Sequence, residues 1–301
     1  MTETDAIGSA AVDGAEGRTV AVLRTVAAAR AALATAARPI GLVPTMGALH
    51  DGHLALLARA RERNATVVMS LFVNPTQFAA GEDLASYPRD EARDLALAAA
   101  AGVDLVFAPS AAEMYPAGHA TRIVVSGLSE TLEGAVRGPA HFEGVATVVA
   151  KLLNVVAPQV AYFGQKDAQQ ALVIERMARD LDIPTAIEVV ATVREPDGLA
   201  LSSRNAYLDA SQRAQAVGLW RALRAAAAAV DAGERSADAV EAAARDELRR
   251  HELDAEYVAV ADPQTLARRE RVDGPTLVAI AARVGPARLI DNLIVSPDGA
   301  H

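Results

Sequence analysis

The chain of 301 residues contains no cysteine. Disulfide bonds and thiolate-held metal sites are therefore excluded, and nothing in the composition argues for an oxidising compartment. A cytoplasmic location is the prediction that fits best. Aromatic residues are also scarce, at 4% of the chain, whereas 51% of the residues are hydrophobic and 22% are charged. These proportions are typical of a globular protein that is long enough for one large or two modest domains.

Basic residues are fewer than acidic residues, 29 against 38, and the formal net charge is −9. Such a surface repels a phosphate backbone unless basic side chains gather in one pocket, so no nucleic-acid partner is expected. Long apolar runs are missing as well. The most apolar stretch, residues 142–158, is interrupted by Lys151 and is shorter than the roughly 20 residues that cross a bilayer. We therefore predict a soluble protein without a membrane partner.

Apolar segments rich in β-branched residues alternate with periodic, alanine- and leucine-rich segments between residues 39 and 193. The predicted strands are 39–43, 65–73, 103–109, 159–164 and 185–193, and the predicted helices are 53–63, 90–101, 142–156 and 168–181. Strands that are apolar on both faces and separated by helices indicate a parallel sheet covered on both sides. We predict a doubly wound, Rossmann-like α/β domain over residues 18–192.

The character of the sequence changes at about residue 193. A polar, turn-rich connector is followed by predicted helices over 211–232 and 236–251 and then by three strand-like segments. We predict a smaller α+β domain over residues 193–301. Residues 1–17 are small, polar and acidic, and they lack the basic start and apolar stretch of a secretory signal. They are predicted to form a flexible N-terminal extension outside the fold.

The segment PTMGALHDGHL, residues 44–54, lies where a predicted strand gives way to a helix. A helix start exposes amide N–H groups and the positive end of the helix dipole, which together attract an anion. Gly52 allows a phosphate to approach closely, and the imidazoles of His50 and His53 can donate hydrogen bonds to phosphoryl oxygens. We interpret the two histidines as phosphate-binding residues. The alternative is a loop histidine beside a helix cap, and a metal site is disfavoured because no third ligand lies nearby in the sequence.

A second strand-to-helix junction is FGQKDAQQ, residues 163–170. Lysine occurs only here and at Lys151, which suggests that Lys166 meets a need for a compact ammonium group, although chance accounts equally well for one lysine alone. Lys166 can reach phosphate as a point charge, and Asp167 can cap the helix or meet a ribose hydroxyl. Gln170 lies one helical turn further on the same face. A helix cap explains Asp167 but not the lysine.

Two further segments are informative mainly in combination. LALSSRNAYL, residues 199–208, offers two serine hydroxyls and Arg204, which suit either a mobile phosphate-binding loop or a surface turn. FVNPTQF, residues 72–78, offers the amides of Asn74 and Gln77 to a small hydroxy acid, or forms an ordinary Asn-Pro turn. The patterns GxGxxG and GxxxxGK[ST] do not occur, which disfavours a dinucleotide dehydrogenase and a P-loop kinase.

Taken together and in this order, these segments resemble the pantothenate synthetase (pantoate-beta-alanine ligase) family from about residue 38 to 295. The blocks that carry the resemblance are PTMGALHDGH, FVNPTQF, YPR, HFEGV, FGQKD and LSSRN. HxGH alone indicates only the nucleotidyltransferase superfamily, whereas FVNPTQF and FGQKD are specific. The resemblance implies that the carboxylate of (R)-pantoate attacks the α-phosphorus of ATP, giving pantoyl adenylate and pyrophosphate. The amine of β-alanine then attacks the acyl carbon and releases AMP and pantothenate.

The resemblance also implies a set of site residues. Those implied to bind ATP are Pro44, Thr45, Met46, Gly47, Ala48, Leu49, His50, Asp51, Gly52, His53, Gly164, Gln165, Lys166, Asp167, Val193, Leu201, Ser202, Ser203 and Arg204. Those implied to be catalytic are His50, His53, Lys166, Ser202, Ser203 and Arg204. Those implied to bind pantoate are Gln77, Gln170 and Asn74, with Gln77 also near β-alanine and Asn74 supporting the pocket. Mg²⁺ is implied to accompany ATP, with Asp94 as a candidate contact, and a homodimer is the family's usual state.

The sequence departs from the family pattern at a few positions. Leu201 stands where methionine is frequent, Gln165 where glutamate is common, and Ala168 where a larger residue is frequent, which would loosen the pocket wall. Two alternatives carry less weight. Another HxGH nucleotidyltransferase would need a cationic site for a phosphorylated acceptor, but this chain offers Asn74 and Gln77. A nucleotide-binding regulator without catalysis is disfavoured by the intact phosphate-binding residues.

Overall fold

The computed structural model describes residues 10–13, 19–78, 84–85 and 87–299. Contacts divide the chain into two compact units. The first unit comprises Met1–Val125, Pro139–Gly164 and Val173–Val190, and the second comprises Ser126–Gly138, Gln165–Leu172 and Ala191–His301. The last segment of the second unit begins near the predicted boundary at residue 193. The observed division differs from a single cut, because two earlier segments make their contacts with the C-terminal part.

The first unit contains the sheet that the sequence predicted. Its strands in the described residues are β1 (Ala10–Asp13), β2 (Thr19–Leu23), β3 (Ile40–Thr45), β4 (Thr66–Leu71), β5 (Leu105–Phe107), β6 (Val160–Gly164) and β7 (Ala186–Val190). Their order is β1-β2-β5-β4-β3-β6-β7, with β1 antiparallel to β2 and the other six strands parallel. The prediction of a doubly wound, Rossmann-like sheet is confirmed. The strand order reverses at β3 and β6, which is where such sheets bind ligands.

Ten α-helices occur in the described residues. They are α1 (Val26–Ala34), α2 (Asp51–Arg63), α3 (Glu91–Ala100), α4 (Ala111–Met114), α5 (Glu133–Arg137), α6 (Pro139–Val156), α7 (Ala168–Asp180), α8 (Ala210–Ala216), α9 (Gly218–Asp231) and α10 (Ala237–Arg250). Helices α2 and α3 pack with the sheet around a core that includes Val43, Leu57, Met69 and Val106, all fully buried. None of the helices in the described ranges is both long and apolar enough to span a bilayer.

The second unit contains a separate antiparallel sheet in the order β10-β9-β8, formed by the strands β8 (Ala255–Ala261), β9 (Thr276–Val284) and β10 (Ala287–Val295). Its core is built from small and branched side chains of α9, α10 and the sheet, and includes Ala222, Leu223, Val240 and Ile280. The prediction of a smaller α+β arrangement in the C-terminal part is therefore confirmed.

Two details differ from the sequence prediction. The helix predicted over 211–232 is two helices, α8 and α9, which meet at Val217 and Gly218. Glycine weakens a helix. A Cβ at Gly218 would lie 2.6 Å from the Cβ of His251, so the close approach excludes a side chain there.

The predicted N-terminal extension also differs from the structure at Ala10–Asp13. These four residues form β1 and pair with residues 19–22 of β2 at the edge of the sheet. So short a strand carries too little alternation to be recognised from its sequence. The rest of the predicted extension, residues 1–9 and 14–17, lies outside the described residues.

Candidate active site

The segment from Pro44 to His53 connects the carboxyl end of β3 to α2. Gly47 and Ala48 both adopt left-handed backbone conformations, with φ of 86° and 51°. The carboxylate of Asp94, which is 1% exposed, accepts hydrogen bonds from the N–H groups of Ala48 at 2.9 Å and Leu49 at 2.8 Å. A Cβ at Gly47 would lie 2.8 Å from Asp94 Oδ2. Asp94 therefore fixes the loop, and glycine is the residue that fits beside it.

The predicted contact between Asp94 and Mg²⁺ stays a prediction. The side chain is buried, and both carboxylate oxygens accept backbone hydrogen bonds, so Asp94 supports the loop. In the part of the chain that the structure describes, no group of three or more His, Asp or Glu side chains is arranged to hold a metal ion.

Replacing Asp94 with asparagine should destabilise the protein. One acceptor oxygen becomes an NH₂ group that faces a buried backbone N–H, and we expect a loss of about 1–3 kcal/mol in the free energy of unfolding, measured with denaturant. The matched control is Glu91→Gln in the same helix, where the carboxylate bonds Arg24 at an exposed site and should contribute at most about 1 kcal/mol. Equal stability of Asp94→Asn and the unmodified protein would contradict this role.

The two predicted phosphate-binding histidines cap α2. His50 is the N-cap residue, and its Nδ1 accepts a hydrogen bond from the N–H of Gly52 at 3.2 Å. The Nδ1 of His53 accepts one from the N–H of His50 at 3.4 Å, and the ring centroids lie 4.1 Å apart. Because each Nδ1 accepts, each neutral ring carries its proton on Nε2. The helix cap that the sequence offered as an alternative is therefore observed. The hydrogen bonds of this cap select, in each neutral imidazole, the tautomer that donates from Nε2.

Asn74 follows β4 and caps the 3₁₀ helix Pro75–Gln77. Its Oδ1 accepts hydrogen bonds from the hydroxyl of Tyr115 at 2.8 Å, the hydroxyl of Thr76 at 2.9 Å and the N–H of Thr76 at 3.3 Å. Its Nδ2 donates to Gln77 Oε1 at 3.0 Å and to the carbonyl oxygen of Gly144 at 3.1 Å. Asn74 is 1% exposed and fully engaged within the protein. These contacts suit its predicted support of the pocket, and direct binding of pantoate by Asn74 stays a prediction.

Gln77 is held between two of the sequence blocks. Its Nε2 donates to the Sδ of Met46 at 3.2 Å, which places it beside the loop after β3. His141 Nδ1, in the HFEGV block, lies 2.8 Å from the carbonyl oxygen of Gln77. A Cβ at Gly144 in the same block would lie 2.5 Å from the carbonyl oxygen of Thr76. The HFEGV and FVNPTQF blocks therefore pack directly against each other.

Tyr115 was not predicted from the sequence. It lies directly after α4, and its hydroxyl bonds Asn74, which is 41 positions earlier in the chain. Burial raises the pKa of this hydroxyl, so it stays protonated and donates throughout the neutral range. No local pattern connects the two residues, and only the fold brings them together.

In the second unit, Asn292 of β10 anchors the start of the FGQKD turn. Its Nδ2 donates to the carbonyl oxygens of Gln165 and Lys166, both at 2.9 Å, and its Oδ1 accepts from Gln165 Nε2 at 2.9 Å. Gln165, a departure from the family pattern, therefore has a specific partner. The side chain of Lys166 is 19% exposed, with Nζ 3.5 Å from an oxygen of Asp167.

The predicted closing loop lies in the same unit. The N–H of Leu201 donates to the carbonyl oxygen of Val193 at 3.0 Å, and Ser202 Oγ accepts from the N–H of Arg204 at 3.3 Å. Lys166 and Ser202 line one small cavity. The structure therefore brings the lysine and the first loop serine together, although they are far apart in the sequence.

The turn before this loop is fixed by Arg194. Its guanidinium makes two hydrogen bonds to Asp291, at 2.6 and 2.9 Å, and its Cζ lies 3.9 Å from the ring centroid of Trp220. Gly198 has φ of 98°, and a Cβ there would lie 1.8 Å from the indole. These contacts hold the 195–199 turn against Trp220, and no sequence pattern pointed to them.

The two neighbouring glutamines of α7 have different surroundings. Gln169 is buried, and its amide bonds the backbone of Leu128, Thr131 and Glu133 at 2.7 to 3.0 Å, all within the second unit. Gln170, the predicted pantoate ligand, is half-buried. Gln169 therefore ties the 126–138 segment to the start of α7 within the second unit.

Comparison with known proteins agrees with the sequence blocks. The model of the pantoate-beta-alanine ligase family matches residues 18–294. The pantothenate synthetase of Moorella thermoacetica is 55% identical over 278 residues, which cover 91% of this chain and 98% of that protein. The pantothenate synthetase of Chloroflexus aggregans is 56% identical over 277 residues, covering 91% and 99%.

Solved structures show the same likeness in three dimensions. Pantothenate synthetase from Thermus thermophilus superposes with a TM-score of 0.88 and 51% identity, covering 92% of this chain and 99% of that one. Pantoate-beta-alanine ligase from Francisella tularensis, complexed with beta-gamma ATP and β-alanine, has a TM-score of 0.76 and 32% identity, covering 91% and 97%. With a family match that spans both units and relatives that are more than half identical, the chain belongs to the pantoate-beta-alanine ligase family.

Proposed function

We propose that the protein joins (R)-pantoate to β-alanine at the expense of ATP, through pantoyl adenylate, and releases AMP and pyrophosphate. The observation that carries this proposal is the family match over residues 18–294. The 55% and 56% identities to proteins named pantothenate synthetase support it. The F. tularensis relative, with its beta-gamma ATP and β-alanine, supports both compounds as ligands of this chain.

In the first step, a carboxylate oxygen of pantoate bonds to the α-phosphorus of ATP, and the bond from that phosphorus to the bridging oxygen breaks. Pyrophosphate leaves with the bond electrons, and negative charge grows on the phosphoryl oxygens. The Nε2–H groups of His50 and His53 donate to this charge, which lowers the barrier without requiring full proton transfer. The start of α2 adds its dipole.

In the second step, the amine of β-alanine attacks the acyl carbon, and AMP leaves with the electrons of the broken C–O bond. Adenylation is needed because a free carboxylate has no good leaving group. Gln77 and Gln170 hold pantoate, and Gln77 also lies near β-alanine in this assignment. The buried network around Asn74 supports this role by holding Gln77 in one orientation.

The residues of the second unit are assigned to ATP. Lys166 binds phosphate, Asp167 the ribose, and Val193 the adenine through its backbone, while Ser202, Ser203 and Arg204 close on the triphosphate. The cavity shared by Lys166 and Ser202 supports a common ligand for these two segments. Mg²⁺ enters as part of the MgATP substrate, where phosphate oxygens and water supply most of its ligands. A cytoplasmic location and a homodimer complete the proposal.

The test is a two-stage assay on the purified protein. Incubation with MgATP and (R)-pantoate should release pyrophosphate and form an acyl-AMP that mass spectrometry detects. Later addition of β-alanine should convert the acyl-AMP to pantothenate and AMP. Pyrophosphate release that does not depend on pantoate, or an acyl-AMP that β-alanine leaves unchanged, would refute the proposal.

Gln77→Ala should chiefly impair the use of pantoate. Loss of hydrogen bonds to a charged substrate is expected to raise the KM for pantoate by roughly 10- to 100-fold, with little change in ATP binding. Initial rates of pyrophosphate release give the KM, and calorimetric titration with ATP gives the binding constant. Gln215→Ala is the control, since that side chain bonds the carbonyl oxygen of Glu252 at an exposed site. An equal loss of ATP binding in Gln77→Ala would place this residue elsewhere.

A further inference from the structure

The orientation of a glutamine amide decides which substrate groups it can bind. One end donates two N–H bonds and the other end only accepts. A carboxylate only accepts, so a glutamine that binds pantoate through its carboxylate must present its NH₂ group. A glutamine turned the other way would place its amide oxygen against a carboxylate oxygen of the substrate. Both oxygens only accept hydrogen bonds, so the acid would not bind there.

The structure holds Gln77 with a defined orientation. Its Oε1 accepts a hydrogen bond from Asn74 Nδ2 at 3.0 Å, which leaves Nε2 on the side of Met46. The thioether sulfur of Met46 is a weak acceptor, and a carboxylate oxygen would replace it with a stronger, charge-assisted bond. The orientation of Gln77 therefore depends on Asn74 presenting its NH₂ end.

Asn74 is oriented in turn by donors that bond its Oδ1. The hydroxyl and N–H of Thr76 belong to the same short 3₁₀ segment. The hydroxyl of Tyr115 comes from the chain after α4 and makes the shortest of the three bonds, at 2.8 Å. Tyr115 therefore helps to set the orientation of the Asn74 side chain, and through it that of Gln77, from a segment outside the 3₁₀ helix.

We propose that Tyr115 is a positioning residue for the acid substrate: its hydroxyl orients Asn74, and Asn74 turns the NH₂ group of Gln77 toward the carboxylate of pantoate. This inference rests on the proposed function. The ring centroid of Tyr115 also lies 6.2 Å from that of Phe72, 5.0 Å from that of His119 and 6.0 Å from Nζ of Lys151. Phenylalanine at position 115 keeps those ring contacts and removes the hydroxyl alone.

Tyr115→Phe should raise the KM for pantoate about tenfold, as the loss of one orienting hydrogen bond allows, while the KM for ATP stays within about twofold. Tyr162→Phe is the matched control. It also removes a buried hydroxyl that is bonded to an asparagine, Asn64, at 2.7 Å, but that contact lies outside the Asn74 network. The control should lose stability with little change in either KM. Pantoate kinetics that are the same in the two variants would overturn the inference.

A double-mutant cycle separates orientation from general loosening of the fold. Once Gln77 is alanine, no amide remains to be oriented, so adding Tyr115→Phe should change kcat/KM for pantoate by less than about twofold. An independent tenfold loss in that background would overturn the inference while leaving the proposed function standing. If the unmodified protein releases no pyrophosphate with pantoate, the proposed function fails and the inference fails with it.

Discussion

His50→Asn and His53→Gln should each reduce pantoate-dependent pyrophosphate release by roughly 100- to 1000-fold, because each removes a donor to the charge that develops at phosphorus. These substitutions keep the helix cap. Asparagine is a favoured N-cap residue, and glutamine at the third helical position can accept from the N-cap N–H, as His53 does. Asparagine is too short to place an N–H where the imidazole Nε2 lies, and glutamine lacks the rigid ring that fixes an N–H there. The fold should therefore be retained while the chemistry is lost.

Thermal unfolding and rapid-quench measurement of acyl-AMP formation test this expectation. Alanine at the same two positions is the comparison, since it should add a loss of about 1 kcal/mol in the free energy of unfolding to the same catalytic defect. The assignment is contradicted if the cap-preserving variants turn over at a near-native rate. It is also contradicted if their activity falls only in proportion to their stability, because the histidines would then serve the helix alone.

Lys166→Ala should lower pyrophosphate release by roughly 100-fold, since a partly buried ammonium that meets phosphate makes a strong charge-assisted contact. Lys166→Arg should restore little of this activity. The guanidinium is a larger, planar fork that directs its N–H groups differently from the compact ammonium. Because the Lys166 side chain is only 19% exposed, the surroundings leave limited room for the larger group. Single-turnover rates at saturating MgATP measure the effect.

The absence of cysteine makes a sharper version of this experiment possible. In Lys166→Cys, the introduced thiol is the only one in the chain, and alkylation with 2-bromoethylamine rebuilds an ammonium at nearly the original distance. Most of the lost activity should return on alkylation, and the same treatment of the cysteine-free protein is the control. Full rescue by arginine would show that a positive charge alone is enough, whatever its shape. No rescue by alkylation would show that the lost ammonium was not the cause of the defect.

The main parallel sheet was predictable because buried parallel strands are continuous apolar runs, and β3, β4 and β6 each begin within a residue of their predicted position. The start of α2 was predictable because its histidines and glycine are unusual at a helix entry. Strands β1 and β2 were missed because they precede the alternation of apolar and periodic segments that begins at residue 39, and their pairing is decided by the neighbouring strands. The division of α8 from α9 was missed because it depends on the packing of Gly218 against His251.

The residues that hold the site residues in place could not be predicted from the sequence. Asp94 was predicted as a contact of Mg²⁺, and its role in holding the loop was missed because its partners, the N–H groups of Ala48 and Leu49, are backbone groups that have no sequence signature. Tyr115 and Asn292 act across long separations in the chain, and their chemistry is ordinary until the fold supplies their partners. Residues that would contact substrate have distinctive types and spacing, whereas residues that orient them are recognised only from coordinates.

The stacked pair of Arg194 and Trp220 has a practical consequence. The chain has a single tryptophan, and its indole lies against Gly198 in the 195–199 turn, which precedes the loop that contains Ser202, Ser203 and Arg204. Its fluorescence therefore originates beside that turn and from no other site in the protein. Rearrangement of the turn alters the polarity and charge around the indole, so the molecule carries its own optical reporter for movement in this region without any added dye.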